Sequence, residues 1–387
     1  MNHWTVEAPA YARWQRAAAD PRSAAAALGC GVVVIVGSLD GGYYPNSWRW
    51  SALALAAVAG LATLRQRSFR VGRLGSLSLA SLGALCAWMA VSALWSIDGV
   101  ESRQEVQRGA LYVVALAALL AVVRQSTAKG LLTGVLIGCT ALASFALGDR
   151  LASNAPLDPY QGSLLKEPIG YANALGIVMA IGFVLAVGLL LESRGRAGRG
   201  ALVGAASACA VALGLTSSRG AWLAAVAGIG VLLLFRARRR LFLVASALSA
   251  PVLALAASVV SLGDRPAYWR VAISNAAEHP LTGTGAGTFD DLWLAGRPIP
   301  VFVRDAHSLY LETAAELGLV GVALLLGALL TPLVAAAGAR RDPVVSTAAA
   351  GYVTFLVHAG LDWDWEMPVT VLAGLACAAV LLVSRRA

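Results

Sequence analysis

The sequence predicts an all-α fold, a polytopic transmembrane helical bundle of about 12 spans with a partly helical extracytoplasmic loop between spans 9 and 10. Two observations support this class. First, 58% of the 387 residues are hydrophobic, 13% are charged, and the mean hydropathy is +0.72, whereas soluble domains carry roughly 25% charged residues. Second, the apolar residues form continuous runs rich in Leu, Ala and Val, which favours helices over a closed barrel. A soluble core is therefore excluded.

Each predicted span is an apolar run that approaches the length needed to cross a bilayer, about 20 residues. The chain is treated as one integral membrane domain, residues 1–387, that includes the long loop at residues 263–308. The predicted spans are residues 24–39, 48–64, 75–95, 109–123, 130–147, 169–191, 201–216, 220–235, 241–262, 309–333, 344–361 and 367–384.

The charges of the connections predict the orientation of these spans. If the N-terminus is inside, 20 of the 30 Lys and Arg residues but only 4 of the 21 acidic residues lie in inner segments. Basic loops stay on the cytoplasmic side of membrane proteins. The formal net charge of +9 is therefore interpreted as a topology signal and not as a nucleic-acid-binding surface. Both termini are predicted to be cytoplasmic, and six outer segments are predicted to meet on one face.

The cysteines indicate neither a disulfide framework nor a metal site. All five lie within apolar runs and no pair has CxxC spacing. They are Cys30, Cys86, Cys139, Cys209 and Cys377.

Three arginines on the predicted outer face are candidates to bind phosphate. Arg219 lies where one span ends and the next begins, a depth at which an unpaired charge costs a few kcal/mol. Its alternative role is to snorkel to lipid headgroups. Arg265 and Arg270 flank Pro266 and two aromatic residues in RPAYWRVAISNAAEH, which predicts a short interfacial helix. Guanidinium groups bind phosphate oxygens through a planar fork, so the three could hold a diphosphate. The alternative is ordinary interfacial anchoring.

His307 is the candidate general base. It follows Asp305, a predicted N-cap, and is predicted to open the helix SLYLETAAELGLVG. A helix N-terminus disfavours the imidazolium, although Asp305 has the opposite effect. A lone His is usually structural. Here, however, Glu312 and Glu316 lie one turn apart on one face of the following span, and buried carboxylates in lipid need partners.

Two further patterns have competing interpretations. The glycines of GTGAGTF loosely resemble a nucleotide loop, but no predicted strand precedes them, so a flexible turn that seats the loop is preferred. Asp362, Asp364 and Glu366, in HAGLDWDWEMP with His358, could form a divalent-metal cluster. Their spacing in a Trp-rich turn is equally typical of solvated carboxylates between aromatic anchors.

The order of these segments resembles a known family. SSRGAWLA, RPAYWRVAISNAAEHPLTGTGAGTF, DAHSLYLETAAELGLVG and HAGLDWDWEMP are together similar to the O-antigen ligase and O-antigen polymerase family of membrane glycosyltransferases. The upstream EPIGYANALG also resembles a segment of that family. The resemblance covers roughly the C-terminal half, and the N-terminal half matches only in hydropathy.

The resemblance implies a fold, a reaction and a location. The expected enzyme lies in the bacterial inner membrane with its active face outside, and moves a glycan from an undecaprenyl-diphosphate-linked donor to a glycan, lipid-core or protein acceptor. The expected transfer is inverting and needs no metal and no cofactor. Arg219 and one of Arg265 and Arg270 would bind the diphosphate, His307 would be the base, and Glu316 and Asp362 would support the site. The sequence does not distinguish a ligase from a polymerase.

The residues independently suit this chemistry, because fixed guanidinium groups stabilise a leaving diphosphate and an acceptor hydroxyl needs a base. The competing class is a transporter or flippase of a lipid-linked glycan. That class calls for charged or interrupted helices near the midplane, ideally in a repeated arrangement. The sequence shows few charges at mid-depth and no such repeat, so the enzyme is preferred.

Overall fold

The computed structural model describes residues 20–66, 71–152, 158–236 and 263–384. Within these ranges every regular element is helical, and two single 3₁₀ turns, Asp40–Gly42 and Asp364–Glu366, accompany the α-helices. The α-helices are α1 Pro21–Gly37, α2 Pro45–Gln66, α3 Arg73–Ser92, α4 Gly99–Val122, α5 Ala128–Ala152, α6 Ala172–Leu190, α7 Arg196–Thr216, α8 Arg219–Arg236, α9 Arg265–Glu278, α10 Phe289–Gly296, α11 Leu309–Gly338, α12 Pro343–Ala359 and α13 Pro368–Val383.

The all-helical prediction is confirmed for the described residues, but the count of about 12 spans is not. Among the described residues, seven helices are long and apolar enough to cross a membrane, namely α3 to α8 and α11. Three more, α1, α12 and α13, are apolar but shorter. Helix α2 has 22 residues and covers the predicted span 48–64, yet falls outside both groups. The predicted span 241–262 lies outside the described residues.

Helices α6, α12 and α13 form the centre of the bundle. Helix α13 is buried along nearly its whole length and packs against α1, α4, α5, α6, α11 and α12. Most residues of α6 are also buried. These helices are apolar on all sides, which is the pattern of a helix surrounded by other helices.

Small residues let the helices of this bundle approach closely. Gly130, Gly134 and Gly138 repeat every fourth residue on α5 and face the backbone of α1, where a Cβ on Gly134 would lie 2.0 Å from the Ala26 carbonyl oxygen. In a membrane, apolar side chains gain little by leaving lipid for a helix interface, because lipid is equally apolar. Helix pairs therefore depend on close packing of this kind for their stability.

The long loop inserts into the start of α11. Gly318 has φ +63°, outside helical geometry, so the helix is interrupted there. The loop satisfies the freed backbone groups, since Leu319 N–H donates to the Pro280 carbonyl (2.8 Å) and Gly285 N–H donates to the Glu316 carbonyl (2.8 Å). A Cβ on Gly318 would lie 2.3 Å from the Leu281 carbonyl carbon, so only glycine fits. The break at Gly318 therefore serves to hold the loop against α11. It lies in the first third of this 30-residue helix.

The predicted helix over RPAYWRVAISNAAEH is α9, and it begins with Pro in the first turn as expected. Helix α10 follows the glycine turn and was not predicted. Together α9, α10 and the start of α11 enclose a second small core built around Tyr268, Phe289 and Trp293. This core fixes the loop as a packed unit.

The connections form two groups at opposite ends of the bundle. At the end that carries residues 263–308, here called the loop end, Ile97 N–H donates to the Thr284 carbonyl (3.3 Å) and Leu165 N–H donates to the Leu215 carbonyl (3.1 Å). At the other end, Glu192 accepts from Lys129 (3.2 Å) and Arg236 (3.1 Å). Lys129 and Arg236, from two of the basic segments, thus lie together at the end away from the loop.

We expect the loop end to face the outside of the cell, because the basic segments lie at the opposite end. Ala295 and Ala197 are exposed at the loop end and the basic end respectively. Ala295→Cys should react with a membrane-impermeant maleimide in intact cells, and Ala197→Cys only after permeabilisation. The parent protein, whose cysteines lie within helices, gives the background. The opposite labelling pattern would reverse the orientation.

Candidate functional site

Asp362, in the turn between α12 and the second 3₁₀ turn, is the centre of the candidate site. Its side chain is 2% exposed and accepts hydrogen bonds from groups that are remote in sequence. Arg265 Nη2 lies 2.9 Å from Oδ2 and Asn173 Nδ2 lies 2.6 Å from Oδ2. The Tyr171 hydroxyl lies 3.1 Å from Oδ1, which also accepts the Trp363 N–H at 2.9 Å. The carboxylate therefore joins α6, α9 and the turn before α13.

These partners keep Asp362 ionised. Burial alone would raise its pKa, but the neighbouring His307 and His358 imidazoles and the Arg265 guanidinium hold the pKa of Asp362 below its ordinary value. A buried charge without such partners would be neutralised or strongly destabilising. The site therefore has a fixed negative charge at its base.

His307 faces this carboxylate from the loop. Its Nε2 lies 3.9 Å from Asp362 Oδ1, and its Nδ1 lies 3.0 Å from the backbone carbonyl oxygen of Asp305. Because a carbonyl oxygen can only accept, Nδ1 carries the hydrogen and Nε2 of the neutral ring has the lone pair. The ring also packs 5.2 Å from that of Tyr268, centroid to centroid. Nε2 is thus held as a proton acceptor beside a carboxylate.

The backbone at His307 differs from the prediction. Asp305 is not an N-cap, since α11 begins at Leu309 with Ser308 as its N-cap and no side-chain cap hydrogen bond. Glu312 reaches back instead and accepts the Ala306 N–H at 2.7 Å. His307 itself has φ +53°, in the left-handed region that costs energy for a residue with a Cβ. This conformation turns the imidazole toward Asp362.

The three predicted arginines have different environments. Arg265 is paired with Asp362, and its Nε is buried without a hydrogen-bond partner in the described part of the chain. Arg219 is exposed at the first position of α8, beside Gly220, whose added Cβ would lie 3.8 Å from Leu361 Cβ. Arg270 is also exposed, five residues along α9, and does not contact Asp362 through any ion pair found among the described residues. Arg265 therefore contacts the turn that holds Asp362, and helix α8, which begins at Arg219, starts beside that turn.

His358 and Asp364 form a second buried pair next to this turn. His358 Nδ1 lies 2.6 Å from Asp364 Oδ2, and His358 is fully buried. Its Nε2 has no partner among the described residues and faces the start of α8, where a Cβ on Gly220 would lie 3.4 Å away. Burial raises the pKa of Asp364 despite the opposing charge of His358. The pair lines the side of the site nearest Arg219.

Deeper in the bundle, Arg108 binds both Glu105 and Glu366. One guanidinium thus faces two carboxylates. Burial raises the pKa of Glu366 well above its usual value, although the charge of Arg108 opposes the rise. Asp305 lies close by, and burial raises the pKa of Asp305 to about 6, although His307, Arg108 and Arg304 oppose the rise. Neighbouring buried carboxyl groups of this kind titrate together, because two adjacent negative charges are unfavourable.

The predicted cluster of Asp362, Asp364 and Glu366 is wrong in both interpretations. The three carboxylates are buried, at 1%, 2% and 7% exposure, so they are not solvated. They also point to separate cationic partners, Arg265, His358 and Arg108, instead of to a common centre. A different acidic group forms here, because ligand oxygens of Asp305, Glu312 and Glu366 all lie within 4.8 Å of one another.

Glu316 supports the site through the glycine turn. Its carboxylate accepts the N–H groups of Gly287 (2.8 Å) and Phe289 (2.9 Å), at the beginning of α10. Gly285 has φ +111°, and a Cβ there would lie 2.4 Å from Ser96. GTGAGTF thus forms a turn that seats the loop, as predicted, but the turn is held by Glu316 and packed against Ser96 rather than flexible.

Four contributors to the site were not singled out in the sequence. Tyr171 and Asn173 lie in EPIGYANALG, which resembled the family but suggested no role. Glu105 and Arg108 lie just before the predicted span 109–123, whereas α4 begins ten residues earlier at Gly99. An Arg three residues after a Glu in an apolar helix was the available signal, since an intramembrane ion pair is rarely accidental.

This geometry combines a proton acceptor with a phosphate-binding group. Asp362 can stabilise the charge that His307 acquires when Nε2 takes a proton. The same carboxylate holds the guanidinium of Arg265, whose side chain remains 24% exposed, and a guanidinium is a group that binds phosphate. The arrangement suits the transfer of a group from a phosphate to a hydroxyl at the end of a membrane bundle.

Comparison with known families supports this assignment. Residues 204–326 match the family model described as O-antigen ligase. The match runs from α7 into α11 and contains Arg219, Arg265, Arg270, His307, Glu312 and Glu316, whereas Asp362 lies beyond it. A search of curated proteins found no match.

Proposed function

We propose that this protein is an enzyme of the O-antigen ligase type, which transfers a glycan from an undecaprenyl-diphosphate-linked donor to a hydroxyl of a glycan, lipid-core or protein acceptor on the outer face of the membrane. The observation that carries the proposal is that His307 Nε2 and Arg265 Nη2 face the same buried carboxylate, Asp362, at 3.9 and 2.9 Å. The proposed base and the proposed phosphate ligand therefore share one carboxylate.

In the proposed reaction, the acceptor hydroxyl oxygen attacks the anomeric carbon of the donor sugar. The bond between that carbon and the phosphate oxygen breaks, and its electron pair stays on the leaving lipid diphosphate. His307 Nε2 takes the hydroxyl proton, and Asp362 stabilises the resulting imidazolium. Arg265 and Arg219 stabilise the charge on the diphosphate. Attack from the side opposite the diphosphate inverts the anomeric centre.

Ligase and polymerase types use the same transfer step and differ in the acceptor. The interrupted helix α11 does not favour the transporter alternative, because the loop itself fills the break at Gly318. In transporters, broken helices expose their ends to a substrate near the midplane.

The first functional prediction distinguishes the roles of Arg265 and Arg270, the two arginines of α9. We expect Arg265→Lys to lower the rate of glycan transfer by about tenfold or more, because a lysine cannot keep a planar fork toward both Asp362 and a phosphate. The matched control is Arg270→Lys on the same helix, which should stay within about twofold, since Arg270 is exposed and lysine keeps its positive charge. Rates would be measured with purified protein and a lipid-diphosphate-linked glycan.

The outcome that contradicts this assignment is a reversal, with Arg270→Lys impaired and Arg265→Lys active. Arg219→Lys belongs in the same series and should also lose most activity. Normal turnover by Arg219→Lys and Arg219→Ala together would leave Arg219 as an interfacial anchor.

The second prediction concerns His307. His307→Asn tolerates a positive φ and keeps a side-chain hydrogen-bond donor, but it has no basic nitrogen. We expect it, like His307→Ala, to lower turnover by about 10²–10⁴-fold, while donor binding stays near the wild-type level. Products would be followed by gel shift and mass after incubation with candidate acceptors.

Two results would count against these roles. Product formation that is unaffected by either variant would remove the base assignment alone. A wild-type protein that moves the lipid-linked glycan across vesicles, yet forms no glycosidic bond with any acceptor, would replace the enzyme by a flippase.

The third prediction is that transfer needs no divalent ion. Asp362, Asp364 and Glu366 are each occupied by a cationic side chain, and Glu312 holds the Ala306 N–H. Activity should therefore persist in EDTA. If EDTA abolished activity, magnesium or manganese restored it, and Glu312→Gln prevented the restoration, a metal would belong at Asp305, Glu312 and Glu366.

A further inference from the structure

Four aromatic rings form a continuous row that ends at the candidate site. Tyr44 packs on Tyr43 with ring centroids 5.4 Å apart, Tyr43 packs on Trp363 at 5.9 Å, and Trp363 packs on Tyr171 at 4.5 Å. The rings come from three separate segments, namely the turn between α1 and α2, the residue before α6, and the turn after α12. A row assembled from distant segments is not a consequence of local sequence.

The row leads from solvent to Asp362. Tyr44 is 56% exposed, whereas Tyr43, Trp363 and Tyr171 are partly buried. At the inner end, the Tyr171 hydroxyl and the backbone N–H of Trp363 both donate to Asp362 Oδ1, the oxygen that faces His307 Nε2. Ring surface is therefore continuous from the outside to the proposed base.

Charged groups lie along the same row. Burial raises the pKa of Tyr43, and the charges of Arg304 and Asp305 act on its hydroxyl in opposite directions. Arg304 is exposed and also pairs with Glu101 at 3.2 Å. Ring faces with charged hydrogen-bonding groups beside them suit a ligand that has both apolar and hydroxylated surfaces.

An interfacial aromatic belt is the simpler interpretation of Tyr and Trp at the end of a span. Belt residues anchor individually in the headgroup region, and Trp50 of α2 fits that description because it is 71% exposed and contacts no aromatic ring among those described. The four rings of the row contact one another instead, and they converge on a buried carboxylate. Anchoring in the headgroup region accounts for Trp50. It does not account for four rings that contact one another and end at Asp362.

We propose that the row of Tyr44, Tyr43, Trp363 and Tyr171 is a saccharide-binding surface that guides a pyranose ring of a substrate toward His307. This proposal deepens the proposed function and rests on it. The C–H face of a pyranose is apolar and packs against an aromatic ring, while its hydroxyl groups remain free for the polar groups at the edges. Aromatic side chains provide this contact area with little loss of conformational freedom, because they have few rotatable bonds.

The experiment uses purified full-length protein in nanodiscs. Tyr44→Ala removes the exposed end of the row without touching Asp362, and the matched control is Trp50→Ala, an exposed aromatic on the adjoining helix. We expect Tyr44→Ala to raise the KM of one saccharide substrate about threefold to tenfold, with kcat within about twofold, as an aromatic contact predicts. Tyr44→Phe should restore the wild-type KM, and Trp50→Ala should change neither constant.

The donor and the acceptor are the two possible sources of the sugar, and separate titrations distinguish them. A rise confined to the KM of the lipid-linked donor places the donor glycan on the row. A rise confined to the KM of the acceptor places the acceptor there. No change in either KM, or an equal change in Trp50→Ala, overturns the proposal and leaves the rings as membrane anchors.

A binding measurement keeps this test independent of catalysis. Saturation-transfer NMR with the free oligosaccharide cleaved from the lipid donor should show contacts in the wild type that weaken in Tyr44→Ala and in Trp363→Ala, but persist in Trp363→Phe and in His307→Asn. If the wild type transfers no glycan yet shows this pattern, the proposed function fails and the saccharide surface remains. If transfer is normal and the pattern is absent with both the donor-derived and the acceptor oligosaccharide, the saccharide surface fails and the proposed function remains.

Discussion

The structure depends on one buried negative charge. Asp362 is 1% exposed, and a carboxylate in that environment is tolerated only when several donors surround it. The donors come from α6, from the loop helix α9 and from the turn that contains Asp362 itself. Satisfying this charge therefore fixes the loop against the bundle, and it places His307 and Arg265 on the same carboxylate. The arrangement that stabilises the turn is also the arrangement that the proposed chemistry needs.

The loop reaches this position because backbone groups near lipid must find partners inside the protein. Helix α11 is interrupted at Gly318, and the freed groups are taken up by residues 280–285 of the loop. Glu316 then accepts two N–H groups at the start of α10. A carboxylate, a helix break and a glycine turn thus form one unit. Removal of any of them would leave polar backbone groups unsatisfied, and the effect would extend to His307, eleven residues before Gly318.

The sequence predicts the helical class, the grouping of the basic segments and several site residues, because these depend on local composition and order. Arg219, Arg265, His307 and Asp362 are polar residues in an apolar chain, and such residues are conspicuous. Arg108 was placed outside a span because hydropathy alone locates the start of α4 too late. Asn173 and the row of aromatic rings could not be predicted, since their roles arise from contacts across the bundle. The N-cap assigned to Asp305 failed because the carboxylate of Glu312 reaches back to the Ala306 N–H instead.

The pairing of Arg265 with Asp362 has a consequence for the proposed binding of a diphosphate. The pair is close to neutral, so it contributes directed hydrogen bonds rather than net charge. Arg265 is 24% exposed while its partner is 2% exposed, which leaves part of the guanidinium turned toward the opening. Net positive charge must then come from Arg219, which is exposed beside the same turn. Attraction and orientation of the phosphate would thus be assigned to different arginines. This division lets a buried, precisely held site exist without an isolated buried cation.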